Sequence, residues 1–371
     1  MRLGISAEQQ ELRESVRRFL ADRAPLPRVR ELMETTDGID EKVWLQAGTQ
    51  LGLQGIAIGA EYGGAGFSFA EQAIVLTELG AALFTGPYLA SAVLAATALA
   101  ASSDEQARRD LLPSIATGDA IATLAFTEDN GSWEPDAIGL TAAVRDGGWV
   151  LDGHKSFVLD GHVADVILVV GRTGDGLSMF AVDAGADGLR RTALPTLDQT
   201  RKLARCEFTA VGGRLIGAPG EACAVLSRTL DIGAIALAAE QLGGAQRALD
   251  MAVEYAKTRH QFGRPIGSFQ AIKHRCADLL LEVESLRSAV DYAAAAVAED
   301  STEIPVLACL AKAYASDVYF HVAAENIQIH GGIGFTWEHD AHLYFKRAKS
   351  SELFLGNASY HRARLADRIG L

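Results

Sequence analysis

Apolar residues recur with a helical period at both ends of this chain and with a strand period between them. That double switch limits the fold to helices, then a β unit, then helices again. From Ser6 to about Gly118 the spacing is helical, with Leu12, Val16, Phe19 and Leu20 on one face. Ser6 followed by Gln9 reads as a capping box that starts the first helix. A glycine-rich break, Glu61-Tyr-Gly-Gly-Ala-Gly66, separates the earlier helices from one predicted over 69–83.

From Ala122 to about Ile216 the pattern becomes β, with strands predicted over 150–159, 163–170 and 178–182. Asp152-Gly153 is a turn signal inside the first of these, and Asp146-Gly-Gly and Gly174-Asp-Gly punctuate the region. The predicted unit is mostly antiparallel. Beyond Glu221 the spacing predicts long helices over 222–258, 268–299 and 304–330. Their alanine faces, such as Ala236-Leu-Ala-Ala239, let helices approach closely, as a bundle or an oligomer interface requires. The expected regions are 1–120, 121–216 and 217–371, an α+β chain.

Charge narrows the partners. With 34 Lys plus Arg against 47 Asp plus Glu, the net charge is −13, which argues against nucleic acid and against an anionic membrane. Cys206, Cys223, Cys276 and Cys309 stand far apart and no histidines cluster, so neither a disulfide framework nor a metal site is expected. The N-terminus is charged and helically periodic, unlike a signal peptide. The Tyr88–Ala101 run is the most apolar and falls short of the roughly 20 residues of a membrane span. A cytoplasmic protein is the expectation.

Four segments then line up, in order, with one family. Glu61-Tyr-Gly-Gly-Ala-Gly66, Phe126-Thr-Glu128, Thr258-Arg-His-Gln-Phe-Gly-Arg-Pro-Ile-Gly-Ser-Phe-Gln270 and Gln328-Ile-His-Gly-Gly-Ile-Gly-Phe335 resemble the acyl-CoA dehydrogenases. The resemblance covers nearly the whole chain. It implies an N-terminal helical domain, a central β domain, a C-terminal four-helix bundle, and α,β-desaturation of an acyl-CoA thioester in lipid β-oxidation. It also implies FAD, a tetramer with each flavin between two subunits, and an electron-transferring flavoprotein as acceptor.

Matched residue by residue, the resemblance places Arg259, Phe262 and Gln270 against the neighbouring subunit's FAD. A guanidinium fork suits pyrophosphate oxygens and an amide can read a polar edge; an arginine at a helix end also has a purely structural use. Gln328, Gly331 and Gly332 match a segment approaching the same flavin, where glycine lets backbone come close, although glycine also simply ends helices. His330 reads as a packing or positioning residue. Thr127 matches a flavin-contacting hydroxyl, with a plain strand end as the other reading. In Lys155-Ser-Phe-Val-Leu159 the family pattern has Trp and then a hydroxyl; here Phe157 can still stack, whereas Leu159 offers no hydroxyl.

The family's α-proton base falls on Leu355, within Ser351-Glu-Leu-Phe-Leu-Gly-Asn-Ala358. The alternative base position, on the first long C-terminal helix, is Gly233, followed by Ala234. Asp231, Glu240 and Glu352 are nearby carboxylates, Glu240 and Glu352 being equally weak candidates for a replacement base. Lys346, Arg347 and Lys349 read as a solvated basic face, and Trp337-Glu-His-Asp340 as surface or interface packing. Groups serving the chain's own site are lost and groups reaching a neighbour are kept. The pattern matches the base-lacking chain of heterotetrameric family members, working beside a base-bearing paralogue. A self-sufficient homotetramer using a carboxylate such as Glu240, and a flavin-free acyl-CoA-binding scaffold, are the alternatives.

Overall fold

A computed structural model describes residues 5–371. Six helices come first: α1 (Ala7–Arg23), α2 (Leu26–Met33), α3 (Glu41–Leu51), α4 (Phe69–Ala81), α5 (Ala96–Ala101) and α6 (Glu105–Thr117). Seven strands follow: β1 (Ala122–Ala125), β2 (Thr141–Arg145), β3 (Gly148–Leu159), β4 (Val166–Thr173), β5 (Gly176–Asp183), β6 (Leu189–Leu194) and β7 (Leu203–Ile216). The rest is α7 (Ala222–Thr258), a tight hairpin of β8 (His260–Gln261) and β9 (Arg264–Pro265), then α8 (Gln270–Ala298), α9 (Ile304–His330), α10 (Ala341–Leu353) and α11 (Ala358–Arg368). These elements gather into two compact units, one of residues 1–30, 69–84 and 234–371 and one of residues 31–68 and 85–233.

The β unit holds a seven-stranded sheet ordered β1-β4-β2-β3-β7-β5, with β6 added on β7. Because β5 also pairs with β4, the sheet closes on itself. Only the β1–β4 and β2–β4 pairings are parallel. Leu151, Val158, Phe180, Cys206, Phe208 and Val211 fill its interior. The hairpin turn falls at Asp146-Gly147, both at positive φ (50° and 82°), a two-residue loop suited to strand twist. Asp152-Gly153 is not a turn. It lies inside β3 as a bulge, with Gly153 at φ 139° and the Asp152 carboxylate accepting the Ala210 amide at 2.7 Å. Before the sheet, Leu89–Ala95 forms a π-helical turn leading into α5, and the Ser91 hydroxyl oxygen accepts the Ala122 amide at 3.0 Å.

In the helical unit the capping box forms as the sequence indicates. The Ser6 hydroxyl accepts the Gln9 amide at 3.2 Å and the Gln9 side chain accepts the Ser6 amide at 3.0 Å. α4 crosses α7 at two glycines. A Cβ on Gly243 would lie 1.8 Å from the Thr77 carbonyl, and one on Gly80 2.0 Å from that of Glu240. The small residues therefore serve close helix packing. α7 is the long apolar helix of the chain, rather than the Tyr88–Ala101 run. An 18-residue window of it has mean hydropathy 1.6 and is 78% buried, so its apolar surface is spent inside the fold.

Candidate functional site

The segments carrying the strongest motifs meet at one exposed end of the helical unit. Tyr255, on the last turn of α7, stacks on His330 at the end of α9, ring centroids 4.2 Å apart. His330 also packs on His339 at 4.3 Å and donates from Nδ1 to the Asn326 carbonyl at 2.8 Å. Burial lowers its basicity further than that bond restores it, so a neutral packing residue results. On either side of this ring stack lie the two predicted arms.

One arm is the β8–β9 hairpin. Phe262 and Gly263 form its tip at φ 54° and 77°, and the Phe262 ring is 92% exposed. Holding a bulky residue in the left-handed region costs about 1–3 kcal/mol, and exposing the ring forfeits its burial. Behind it the Arg264 guanidinium sits 4.1 Å over Phe269. Arg259 is exposed and, among the described residues, meets no carboxylate; Gln270 is exposed at the start of α8. The other arm is Gln328 with Gly331 and Gly332, all exposed. Gly331 adopts φ 65°, ψ −144°, open only to glycine, and a Cβ on Gly331 or Gly332 would meet nothing within 4 Å. The arms thus offer a guanidinium, two amides and bare backbone facing outward. That donor set fits an elongated ligand with a pyrophosphate and a polar ring, as FAD has.

Leu355, the residue that the sequence matches to the family's base, is held firmly and carries no proton acceptor. Leu355 is buried at φ 59°. His361 Nε2 donates to its carbonyl at 2.9 Å. The fully buried Lys312 donates to the Gly356 carbonyl at 2.8 Å, the Glu352 carbonyl at 3.1 Å and the Ser316 hydroxyl at 2.9 Å. The loop is pinned from both sides around a side chain with no proton acceptor. Glu352 directs its carboxylate to Lys349, 2.8 Å away. Gly233 and Ala234 are buried without functional groups, and Asp231 is buried beside them on α7.

Glu240 is engaged in an ion pair inside the fold. It is buried, and Arg347 donates to its carboxylate at 2.8 Å. This corrects the reading of residues 346–349 as a solvated face. Arg347 turns inward to the ion pair, while Lys346 lies over the Trp337 ring at 4.0 Å. A buried carboxylate needs a buried cation, and the three-residue basic run supplies it.

His361 gives the pinned loop a pH dependence. Burial, aided by the neighbouring Lys312 charge, pushes its pKa down to about 3 from the usual 6.5. Between those values the unfolded chain binds a proton that the folded chain refuses. Stability is therefore expected to fall as pH drops from 6.5 toward 3, by at most about 1.4 kcal/mol per pH unit. Urea midpoints across that range should show a shallower decline in His361→Gln, which retains a donor for Leu355; an identical decline would disprove the assignment.

In the β unit, Thr127 and Ser156 bond reciprocally. The Thr127 hydroxyl donates to the Ser156 carbonyl at 2.6 Å, and the Ser156 amide to the Thr127 carbonyl at 2.9 Å. The fully buried Lys155 donates to the Phe126 carbonyl at 3.1 Å and to Glu128 at 2.8 Å. Burial pulls the Lys155 pKa down to about 8. Burial alone would raise Glu128, yet Lys155 and the Leu140 and Gly139 amides outweigh it and hold that carboxyl below its usual range. The clamp fixes Thr127 and Phe157 on one edge. Phe157 is 40% exposed at φ 59°, whereas Leu159 points into the core. Sequence reasoning quoted Lys155 and Glu128 without seeing the clamp and missed Lys312 altogether, although a lone lysine in the apolar run from Ile304 to Val318 was its signal.

Comparison with known proteins covers the chain almost end to end. Family profiles match residues 6–119 (acyl-CoA dehydrogenase, N-terminal domain), 123–211 (middle domain) and 223–370 (C-terminal domain). Acyl-CoA dehydrogenase IpdE2 of Mycobacterium tuberculosis is 39% identical over 350 residues, covering 94% of this chain and 93% of the relative. The ChsE4–ChsE5 complex from Mycobacterium tuberculosis contains a chain that matches with TM-score 0.91 and 32% identity, covering 100% of this chain and 99% of that one. A Tcur3481–Tcur3483 steroid ACAD variant matches with TM-score 0.88 and 34% identity over 99% of both chains. The N-terminal helices, β unit and C-terminal helices, with three consecutive profiles laid over them, make this chain a member of the acyl-CoA dehydrogenase family.

Proposed function

We propose that this chain is the base-lacking subunit of a two-chain, FAD-dependent acyl-CoA dehydrogenase, completing the flavin site of a base-bearing paralogue. Leu355 carries the reading: it is buried and apolar, at the position that the sequence motif matches to the family's base. Supporting it, Arg259, Phe262, Gln270, Gln328, Gly331 and Gly332 are all exposed, and two similar solved structures, ChsE4–ChsE5 and Tcur3481–Tcur3483, carry the names of two chains.

In such an assembly the Arg259 fork would hold pyrophosphate oxygens, the Gln270 and Gln328 amides would orient the cofactor's polar edges, and the glycine backbone would close against it. Bound FAD supplies a hydride acceptor for the substrate β-carbon. The α-proton would go to the paralogue's carboxylate, since Leu355 cannot accept it. Thr127 and Phe157, held by the Lys155–Glu128 clamp, would border the flavin's ring end on this chain.

The test is reconstitution. The chain alone, the paralogue alone and both together are purified with FAD, and flavin absorbance and acyl-CoA-dependent bleaching are recorded with a straight-chain and a ring-bearing substrate. Colour and turnover are expected only for the pair. A yellow, active chain on its own would establish the self-sufficient alternative, and a colourless, inactive pair the scaffold.

A further inference from the structure

A cleft of about 830 Å³ in the helical unit, lined by none of the arm residues, lies among α1, α4, α7, α8 and α10. That volume is in the usual range for a small-molecule site, roughly 300–1,000 Å³. α1 and α4 run side by side in the same direction, since Gln9 bonds Glu71 at 2.8 Å and Arg17 bonds Glu78 at 2.9 Å. Their polarity changes in step. Arg13, Arg17 and Glu78 give way one turn later to Leu20 and Ala24 on one wall and Ala81 and Ala82 on the other.

The polar end is lined by more arginines than carboxylates, although Arg287 and Arg247 also meet Glu284 and Glu254 at 3.3 and 3.6 Å. Four arginines against two carboxylates line the cleft, in a chain whose net charge is −13. Arg17 takes both oxygens of Glu78 at 2.9 Å, leaving Arg13 at 3.8 Å from the same carboxylate and its buried Nε without a hydrogen bond. Desolvation, with the Arg287 and Arg17 charges, lowers Arg13 more than Glu78 and Asp291 together restore it. Asp250, the second carboxylate, is engaged by Gln246 at 2.9 Å. A mostly buried guanidinium therefore faces the cleft undercompensated, beside an apolar wall.

We propose that this cleft binds an amphipathic monocarboxylate, its carboxylate on Arg13 and its apolar body along the Leu20–Ala82 end. An anion alone would leave the apolar wall wet, and an apolar molecule alone would leave the buried Arg13 Nε without a hydrogen bond. The site uses none of the flavin-facing residues, so it stands or falls apart from the assignment above.

Calorimetric titration of the full chain tests it, with octanoate as probe and 1-octanol and inorganic phosphate as half-probes. Octanoate is expected to bind saturably at one site, and neither half-probe to match it. Arg13→Ala should weaken octanoate at least about tenfold, the worth of a charged hydrogen bond, with partial recovery in Arg13→Lys. Ala82→Leu, which fills the apolar end, should weaken it with no change in charge. Phosphate binding as tightly as octanoate would overturn the proposal. So would octanoate affinity untouched by Ala82→Leu, which places the probe elsewhere and decides the matter even if Arg13→Ala does not fold.

Discussion

Replacing Arg259 with alanine in the assembled two-chain enzyme is expected to weaken FAD retention roughly 10- to 100-fold. A charge-assisted hydrogen bond contributes about 1.5–3 kcal/mol, and each 1.4 kcal/mol is tenfold in affinity. Arg259 is exposed and meets no carboxylate among the described residues, so the substitution removes no internal contact and stability should hold. Arg259→Lys should recover only part of the loss, because a point charge cannot replace a fork on pyrophosphate. Flavin content after gel filtration and the dissociation constant on reconstitution are the measurements. The diagnostic detail is that the variant sits on the chain without a base, while the lost turnover belongs to the other. Unaltered flavin affinity in Arg259→Ala would remove the trans role of the hairpin.

The second large effect concerns Glu240. Its ion pair with Arg347 is buried, and removing one partner takes a counter-charge 2.8 Å away from the other inside the fold. Arg347→Ala or Glu240→Ala should each cost about 3–5 kcal/mol, read as a lowered urea midpoint. The double replacement Glu240→Leu with Arg347→Met should recover most of it, since a well-packed apolar pair needs no counter-charge. Glu240→Gln separates structure from catalysis. In the assembled enzyme its turnover per folded molecule should match the wild type, whereas a base would lose about 10²–10⁴-fold. A selective loss of turnover in Glu240→Gln would revive the self-sufficient reading.

Much of the architecture was legible because local rules and tertiary packing agree. Ser6 and Gln9 cap α1 as their spacing requires, and the long helices begin and end within about two residues of where periodicity puts them. Two local readings failed for one reason: neighbours distant in sequence decided them. Asp152-Gly153 has turn chemistry, but pairing with β7 on one side and close contact with Leu140 on the other keep it inside a strand as a bulge. Arg347 stands in a basic run, but Glu240, over a hundred residues earlier, draws it inward. For the site, motif spacing located both arms. The Tyr255–His330 stack that joins them, and the buried lysines that pin Leu355 and Thr127, are long-range contacts that no periodicity encodes.

The hairpin tip has a consequence for the cell. Phe262 at 92% exposed, Phe335 at 79% and Trp337 at 58% leave apolar surface on any copy without the proposed partner. Chaperones and proteases act on such surfaces, so surplus copies would be cleared and the supply of this polypeptide would be matched to that of its mate. In the proposed two-chain assembly, balanced co-expression of both chains would follow from that exposed surface.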